Sequence, residues 1–172
     1  VGDAVLTREH GFQKIRWIGA RRVIGRGDMA PITIRRGAFS RLLEGTGEEA
    51  PHRDLTVSPQ HRFFFNDWRV GMLFGEQHAL IAAAHMVDGS MIHRSERLSV
   101  EYFHLLFDDH EVIFAEGVAT ESFHAGEIGV SAISDQSREE MFAIFPELRA
   151  DTRSYGDTAR VCLKAYEAQL IA

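Results

Sequence analysis

The segment Leu98 to Phe123, LSVEYFHLLFDDHEVIFAEGVATESF, constrains this chain more than any other stretch. Two runs of strand-forming residues, Val100 to Phe107 and Val112 to Ala115, flank the polar group Asp108-Asp109-His110-Glu111. β-Branched and aromatic side chains at this density favour extended backbone. Alternation in the first run places Tyr102, His104 and Leu106 on one face. Asp108 and Asp109 read as hairpin-turn residues. Gly117 follows, then the compact group Thr120-Glu121-Ser122. Glu116, Glu121 and Ser122 admit two readings: a polar cluster lining a cleft, or a turn in which Glu121 holds an arginine or backbone amides.

The first three quarters of the chain continue this style of short strands and turn residues. Extended segments are expected at Ala4 to Thr7, Lys14 to Ile18, Pro31 to Arg35, Arg53 to Ser58 and His61 to Phe65. Ile15 and Trp17 share one face, and Ile32 and Ile34 alternate with Thr33 and Arg35 as in a half-buried strand. Further strands are expected at Trp68 to Phe74, His78 to Ala84 and Met86 to Arg94. Asn66-Asp67 marks a turn, and Asp88-Gly89 marks a hairpin. Between Gly37 and Pro51 the run Glu44-Gly45-Thr46-Gly47-Glu48-Glu49 reads as an exposed loop.

The character changes after Gly126. Ser137-Arg138-Glu139-Glu140 fits a capping box ahead of Met141, Phe142 and Phe145, and Pro146 ends that helix. A second helix is expected from about Thr158 to Leu170, capped by Asp157 and carrying Val161, Ala165 and Ala168 on one stripe. The expected architecture is all-β with a two-helix C-terminal tail: a β domain over 1–126 and a helical tail packed on it over 127–172.

Composition narrows the function classes. With 172 residues, 45% of them hydrophobic, the chain can bury a sizeable core. A formal charge of −6 gives no basic face for nucleic acid. Arg21, Arg22, Arg26, Arg35 and Arg36 read as a solvated strand face. One cysteine, Cys162, rules out an internal disulfide framework and a thiolate cluster; it reads as a small buried residue on the last helix. No apolar run reaches the length of a membrane span. No cofactor is indicated, and the chain reads as soluble, cytoplasmic or part of a larger secreted protein.

Four residues carry the candidate chemistry: Ser58, His61, His104 and His110. His61 follows a bend at Pro59 and precedes Phe63-Phe64-Phe65, where a polar loop enters the core. A histidine there can bond a backbone carbonyl or exchange a proton near neutral pH. Ser58 can brace the same turn. His61, His104 and His110 with Glu111 or Glu116 also form a possible metal-ligand set, although no HExxH is present.

Taken together, Val57-Ser58-Pro59-Gln60-His61-Arg62 and the stretch from His104 to Gly117 resemble the paired histidine blocks of hedgehog/intein (Hint) domains. The chain is similar to a bacterial Hint-like group in Val1-Gly2-Asp3 through Thr7, Leu73 through Glu76, Thr120 through Phe123, and the tail elements Phe145-Pro146-Glu147-Leu148 and Glu167-Ala168. The resemblance implies a horseshoe-type β fold and chemistry on a backbone amide. In such domains a cysteine or serine at the first position attacks the preceding carbonyl in an N-to-S or N-to-O acyl shift. Carried over by position, His61 protonates the departing nitrogen, Ser58 braces the turn, and His110 assists from the facing strand. His104 is the less central member. The substrate is the domain's own upstream polypeptide, and the acyl acceptor is water, a thiol or an alcohol.

The chain departs from the pattern in three places. Val1 lies inside the region that follows the nucleophile in the family, so the segment as given is expected not to cleave itself. Ser58 stands where threonine is usual. Glu121-Ser122 occupies the position of the intein His-Asn pair, so asparagine cyclisation, and with it splicing, is not expected. A reading from another class is a non-catalytic β module that binds a partner, with Phe12 or Phe39 as exposed apolar candidates.

Overall fold

The glycines and prolines between apolar runs cut this chain into many short elements rather than a few long ones. The computed structural model describes residues 1–40 and 49–171. Most of the expected loop, Glu44 to Glu48, lies outside the described residues. The strands are β1 (Ala4–Leu6), β2 (Phe12–Lys14), β3 (Trp17–Gly25), β4 (Ile32–Ile34), β5 (Leu55–Val57) and β6 (Arg62–Phe65). After helix α1 (Trp68–Phe74) come β7 (Ala79–Ala82), β8 (Ile92–Arg94), β9 (Arg97–Leu106), β10 (Val112–Ala115) and β11 (Val118–Glu121). The tail holds α2 (Glu127–Ala132), α3 (Asp135–Ile144), α4 (Glu147–Ala150), β12 (Val161–Cys162) and α5 (Ala165–Ala168). The protein is thus a β fold with short helices.

Two units divide the chain, each assembled from separated segments. Unit one comprises Val1–Arg22, Glu101–Ile113 and Glu121–Ala159; unit two comprises Val23–Val100, Phe114–Thr120 and Arg160–Ala172. In unit one, β1 and β2 pair antiparallel, with Leu6 opposite Phe12. Its core gathers Trp17, Leu106, Ala125, Val130, Ile133, Met141, Phe145, Leu148 and Tyr155. A smaller cluster joins Ile15, Phe107 and Ile113. As expected, Ile15 and Trp17 are both buried.

One sheet runs in the order β10-β11-β6-β7-β12 and a second in the order β5-β4-β8; β4, β5, β6, β7, β8 and β12 lie wholly in unit two. β6 and β7 pair antiparallel from Arg62 opposite Ala82 to Phe65 opposite Ala79. Phe63, Ile81, Ile32, Ile34 and Phe39 lie in one core, fully removed from solvent. Phe39 is therefore not an exposed docking residue: its ring stacks on Phe63 at 4.9 Å. Phe12 is exposed, as expected. β4 is also more buried than a half-exposed strand, because it is central in its sheet. Thr33 tolerates this burial by sharing a 2.8 Å hydrogen bond with Ser95.

Several local expectations are corrected. Trp68 to Phe74 is a helix, not a strand. The Asp67 carboxylate accepts the Arg69 amide as an N-cap, and Gly75 closes the helix in the left-handed conformation at φ 72°. Asp108-Asp109 does not join a hairpin: β9 pairs with β3, whereas β10 pairs with β11. The hairpin turn is Glu116-Gly117, with φ values of 51° and 83°, the signature of a tight type I′ turn. The Asp88-Gly89 turn forms, with the Asp88 carboxylate accepting the Ser90 and Ile92 amides. It leads into β8, however, which pairs with β4.

In the tail, the cap of α3 is Ser134, whose hydroxyl accepts the Ser137 amide at 3.1 Å. Ser137 is one turn inside the helix and donates no cap. α3 ends at Ile144, ahead of Pro146 as expected. The long last helix is instead a two-residue strand and a single turn. Val161 and Cys162 pair parallel to Ala79 and Leu80, so Cys162 sits on a strand. β-Branched Val161 gains sheet pairing there that an isolated short helix cannot offer. The basic residues face carboxylates: Arg22 meets Glu101, Arg35 meets Asp54, and Arg36 meets Glu49. Among the described residues, no helix is long and apolar enough to cross a membrane.

Candidate functional site

In unit two, the site begins with a turn that proline makes stiff. The Ser58 carbonyl accepts the His61 amide at 3.1 Å, closing Ser58-Pro59-Gln60-His61. Two further backbone bonds clamp the turn to the 3-10 segment after β7: Ala83 N–H to the His61 carbonyl at 2.8 Å, and Ala84 N–H to the Pro59 carbonyl at 3.0 Å. The His61 ring then meets Phe63 edge-on, with centroids 5.4 Å apart. Ser58 enters this turn through its backbone carbonyl.

Thr120 on β11 completes this arrangement. Its Cα pairs with Phe63 on β6, and the residue is only 1% exposed. The Thr120 hydroxyl donates to the Arg62 carbonyl at 2.8 Å and also contacts His61 Nε2. A hydroxyl has one proton. With that proton given to a carbonyl, Thr120 accepts from His61, and the proton of the neutral ring sits on Nε2.

Nearby in the chain, Glu116 forms an ion pair with Arg53, which holds its carboxylate below the usual range. The Glu116 carbonyl accepts the His52 amide at 2.9 Å. Of the two readings for Glu116, the turn describes it. His85, on the 3-10 segment, has Nδ1 buried with no hydrogen-bond partner among the described residues. Burial, followed by the charge of Arg62, holds its pKa below the ordinary value.

Unit one holds the second histidine group. His110 is 5% exposed and donates from Nε2 to the Ser122 carbonyl at 3.1 Å. Its Nδ1 accepts the Ala159 amide at 2.9 Å. Both ring nitrogens are committed to backbone groups, which defines the tautomer of the neutral ring. The Glu121 carboxylate lies 3.5 Å from Nε2, and both side chains are buried. Ser122 Oγ accepts the Glu111 amide at 2.9 Å, and the Ser122 amide donates to the Glu111 carbonyl at 2.8 Å. Glu121 and Ser122 are thus packed against His110, unlike Glu116.

The buried Glu111 carboxylate takes its own partner from the loop between β1 and β2. His10 Nδ1 lies 3.0 Å from both carboxylate oxygens, with His10 62% exposed and Glu111 5%. The hydrogen bond to Glu111, then its charge, raises the His10 pKa above 6.5. Tyr155, also buried, donates its hydroxyl to the Phe107 carbonyl at 3.0 Å, and burial pushes the phenol above its ordinary range. His104 stacks on Phe123 at 4.9 Å. Among the described residues, no three His, Cys, Asp or Glu side chains converge as a metal-ligand set.

Sequence reasoning placed His61, His104 and His110 but assigned no partner to any of them. Thr120 and His10 were missed as ring partners. Thr120 was visible only as part of a polar cluster, and nothing along the chain ties His10 to a carboxylate 101 residues away.

The family model for the Hint domain matches residues 1–127. The chain belongs to the Hint domain family, whose members are self-processing or Hint-like modules. No curated protein and no solved structure matches it.

Proposed function

We propose that this domain cleaves the peptide bond ahead of itself by an N-to-S or N-to-O acyl shift, without splicing. The observation that carries the reading is the anchored His61, in a chain matched to the Hint family over residues 1–127. The nucleophile is a cysteine or serine at the start of the whole domain. Its thiolate or alkoxide attacks the preceding carbonyl, and the new C–S or C–O bond replaces the C–N bond. The leaving nitrogen needs a proton, and His61 supplies it. Water, a thiol or an alcohol then takes the acyl group.

Ser58 holds the turn that aims His61. His110, between the Ser122 carbonyl and the Ala159 amide, orients the end of β11 rather than moving a proton itself. His104 supports Phe123 by packing. Glu121-Ser122 offers no asparagine side chain to cyclise, which favours cleavage or transfer over splicing.

Intact mass spectrometry of the full-length gene product tests the reading. A time-dependent split before a cysteine or serine, accelerated by hydroxylamine or thiol and abolished by His61→Ala, is the expected result. A single unchanged mass from correctly folded protein would overturn it in favour of a binding module.

A further inference from the structure

We infer that residues 160–171, which lie beyond the part of the chain matched to the family, are a positioning element for the His61 turn. Cleavage proceeds only while this segment is seated on β7 and on the 3-10 segment Ala83–Met86 that follows it. The inference rests on the proposed acyl shift and adds to it a control that the histidine blocks do not contain.

The segment is too short to order itself. β12 has two residues and α5 is a single turn, far below the length at which an isolated helix is stable. Its order comes from unit two. Val161 and Cys162 pair parallel to Ala79 and Leu80, and the Leu163 amide donates to the Leu80 carbonyl at 2.9 Å. Leu163, Ala168 and Ile171 are then buried in the same core as Ala79, Ile81, Ala83 and Met86. α5 packs directly against the 3-10 segment.

The residues it rests on are the ones that hold the turn. β7 lies between β12 and β6 and runs without a break into the 3-10 segment. There the Ala83 amide donates to the His61 carbonyl and the Ala84 amide to the Pro59 carbonyl. One short piece of chain therefore carries the His61 turn and is itself backed by α5. With residues 160–171 unseated, Ala83 and Met86 lose apolar cover and β7 loses its pairing to β12. A 3-10 segment is a weak element by itself, so the clamp on the turn loosens first. Opening of the tail exposes only part of the core of unit two and is favoured over opening of the whole. A misplacement of about 1 Å at a catalytic group is enough to slow a reaction by about a hundredfold.

The test uses the full-length gene product with Leu163→Ala, Leu163→Met and Ile92→Ala beside the parent. Ile92 is buried in the same core but on β8, in the other sheet, so its variant separates general destabilisation from loss of the tail. Hydrogen exchange at the Ala83 and Ala84 amides reports the clamp without reference to activity. In Leu163→Ala, with β6 and β7 still paired, these amides are expected to exchange about tenfold faster or more. Cleavage is expected to slow by about tenfold or more in the same variant. Leu163→Met, which refills the core, should restore both, and Ile92→Ala should leave both near the parent. Parent-like exchange at Ala83 and Ala84 in folded Leu163→Ala overturns the inference. So does faster exchange with cleavage at the parent rate, or an equal slowing in Ile92→Ala. Should Leu163→Ala not fold, Ile171→Ala unseats the other end of the segment and is read in the same way. If the clamp loosens as expected but the parent itself never cleaves, the acyl-shift reading has failed, and the control over cleavage falls with it.

Discussion

Single residues in this protein are constrained by partners distant in sequence. Gly117 shows it most directly. Its φ of +83° is a conformation that side chains resist, and a Cβ there would stand 2.7 Å from His52 Nε2. Gly117→Ala is expected to lower stability by about 1–2 kcal/mol, set by the left-handed backbone, because the exposed His52 ring can move aside. Urea denaturation of the variant would measure this. His10 makes a pH-dependent contribution. Its folded pKa is raised by Glu111, so the stabilisation is present in full below the unfolded value near 6.5 and fades as pH rises through the folded value. The stability difference between the parent and His10→Gln should therefore be larger at about pH 5.5 than at about pH 8.5. An equal difference at both would show that Glu111 does not depend on the charge of His10. His110 was legible as a candidate because it precedes a strand run. Its two backbone partners, Ser122 and Ala159, were not, since nothing local encodes a bond across 49 residues.

At the level of elements, capping chemistry decided what hydrophobic pattern left ambiguous. The seven residues Trp68 to Phe74 are mostly apolar and show neither clean alternation nor a helical stripe. Asp67 and Gly75 at the two ends settle the matter, one accepting the Arg69 amide and the other taking a positive φ. Asp67→Ala should cost about 1 kcal/mol in unfolding free energy, with the loss located in α1 by amide exchange. Protection in α1 equal to the parent would mean that packing of Val70 alone holds the helix. The β10–β11 hairpin teaches the same lesson in reverse. Two candidate turns, Asp108-Asp109 and Glu116-Gly117, flank β10, and both have turn-forming residues. Only the second provides glycine at a positive φ, and only there do the flanking strands pair.

On the scale of the whole molecule, each unit has its own core, and each core has a residue whose loss should be felt. Phe63 is fully buried in unit two against Phe39, and Phe63→Ala is expected to cost about 3–5 kcal/mol. Met141 is fully buried in unit one, and Met141→Ala should cost about 2–5 kcal/mol. Chemical denaturation of both variants would check these values, and a cost below about 1 kcal/mol for either would show that its core relaxes around the gap. Period-two alternation, punctuated by glycine, proline and asparagine, was enough to mark the short strands and hence the β class, because a strand's faces are written in its own residues. The histidine blocks, read as a resemblance, were enough to point to the Hint family. The order of the strands, the pairing of Cys162 into a sheet and the bond between Thr120 and His61 belong to tertiary structure. Hydrogen bonds between strands are made by backbone groups that every residue carries. Which strand meets which is therefore decided by the joint burial of many side chains, and no short stretch of sequence records that choice.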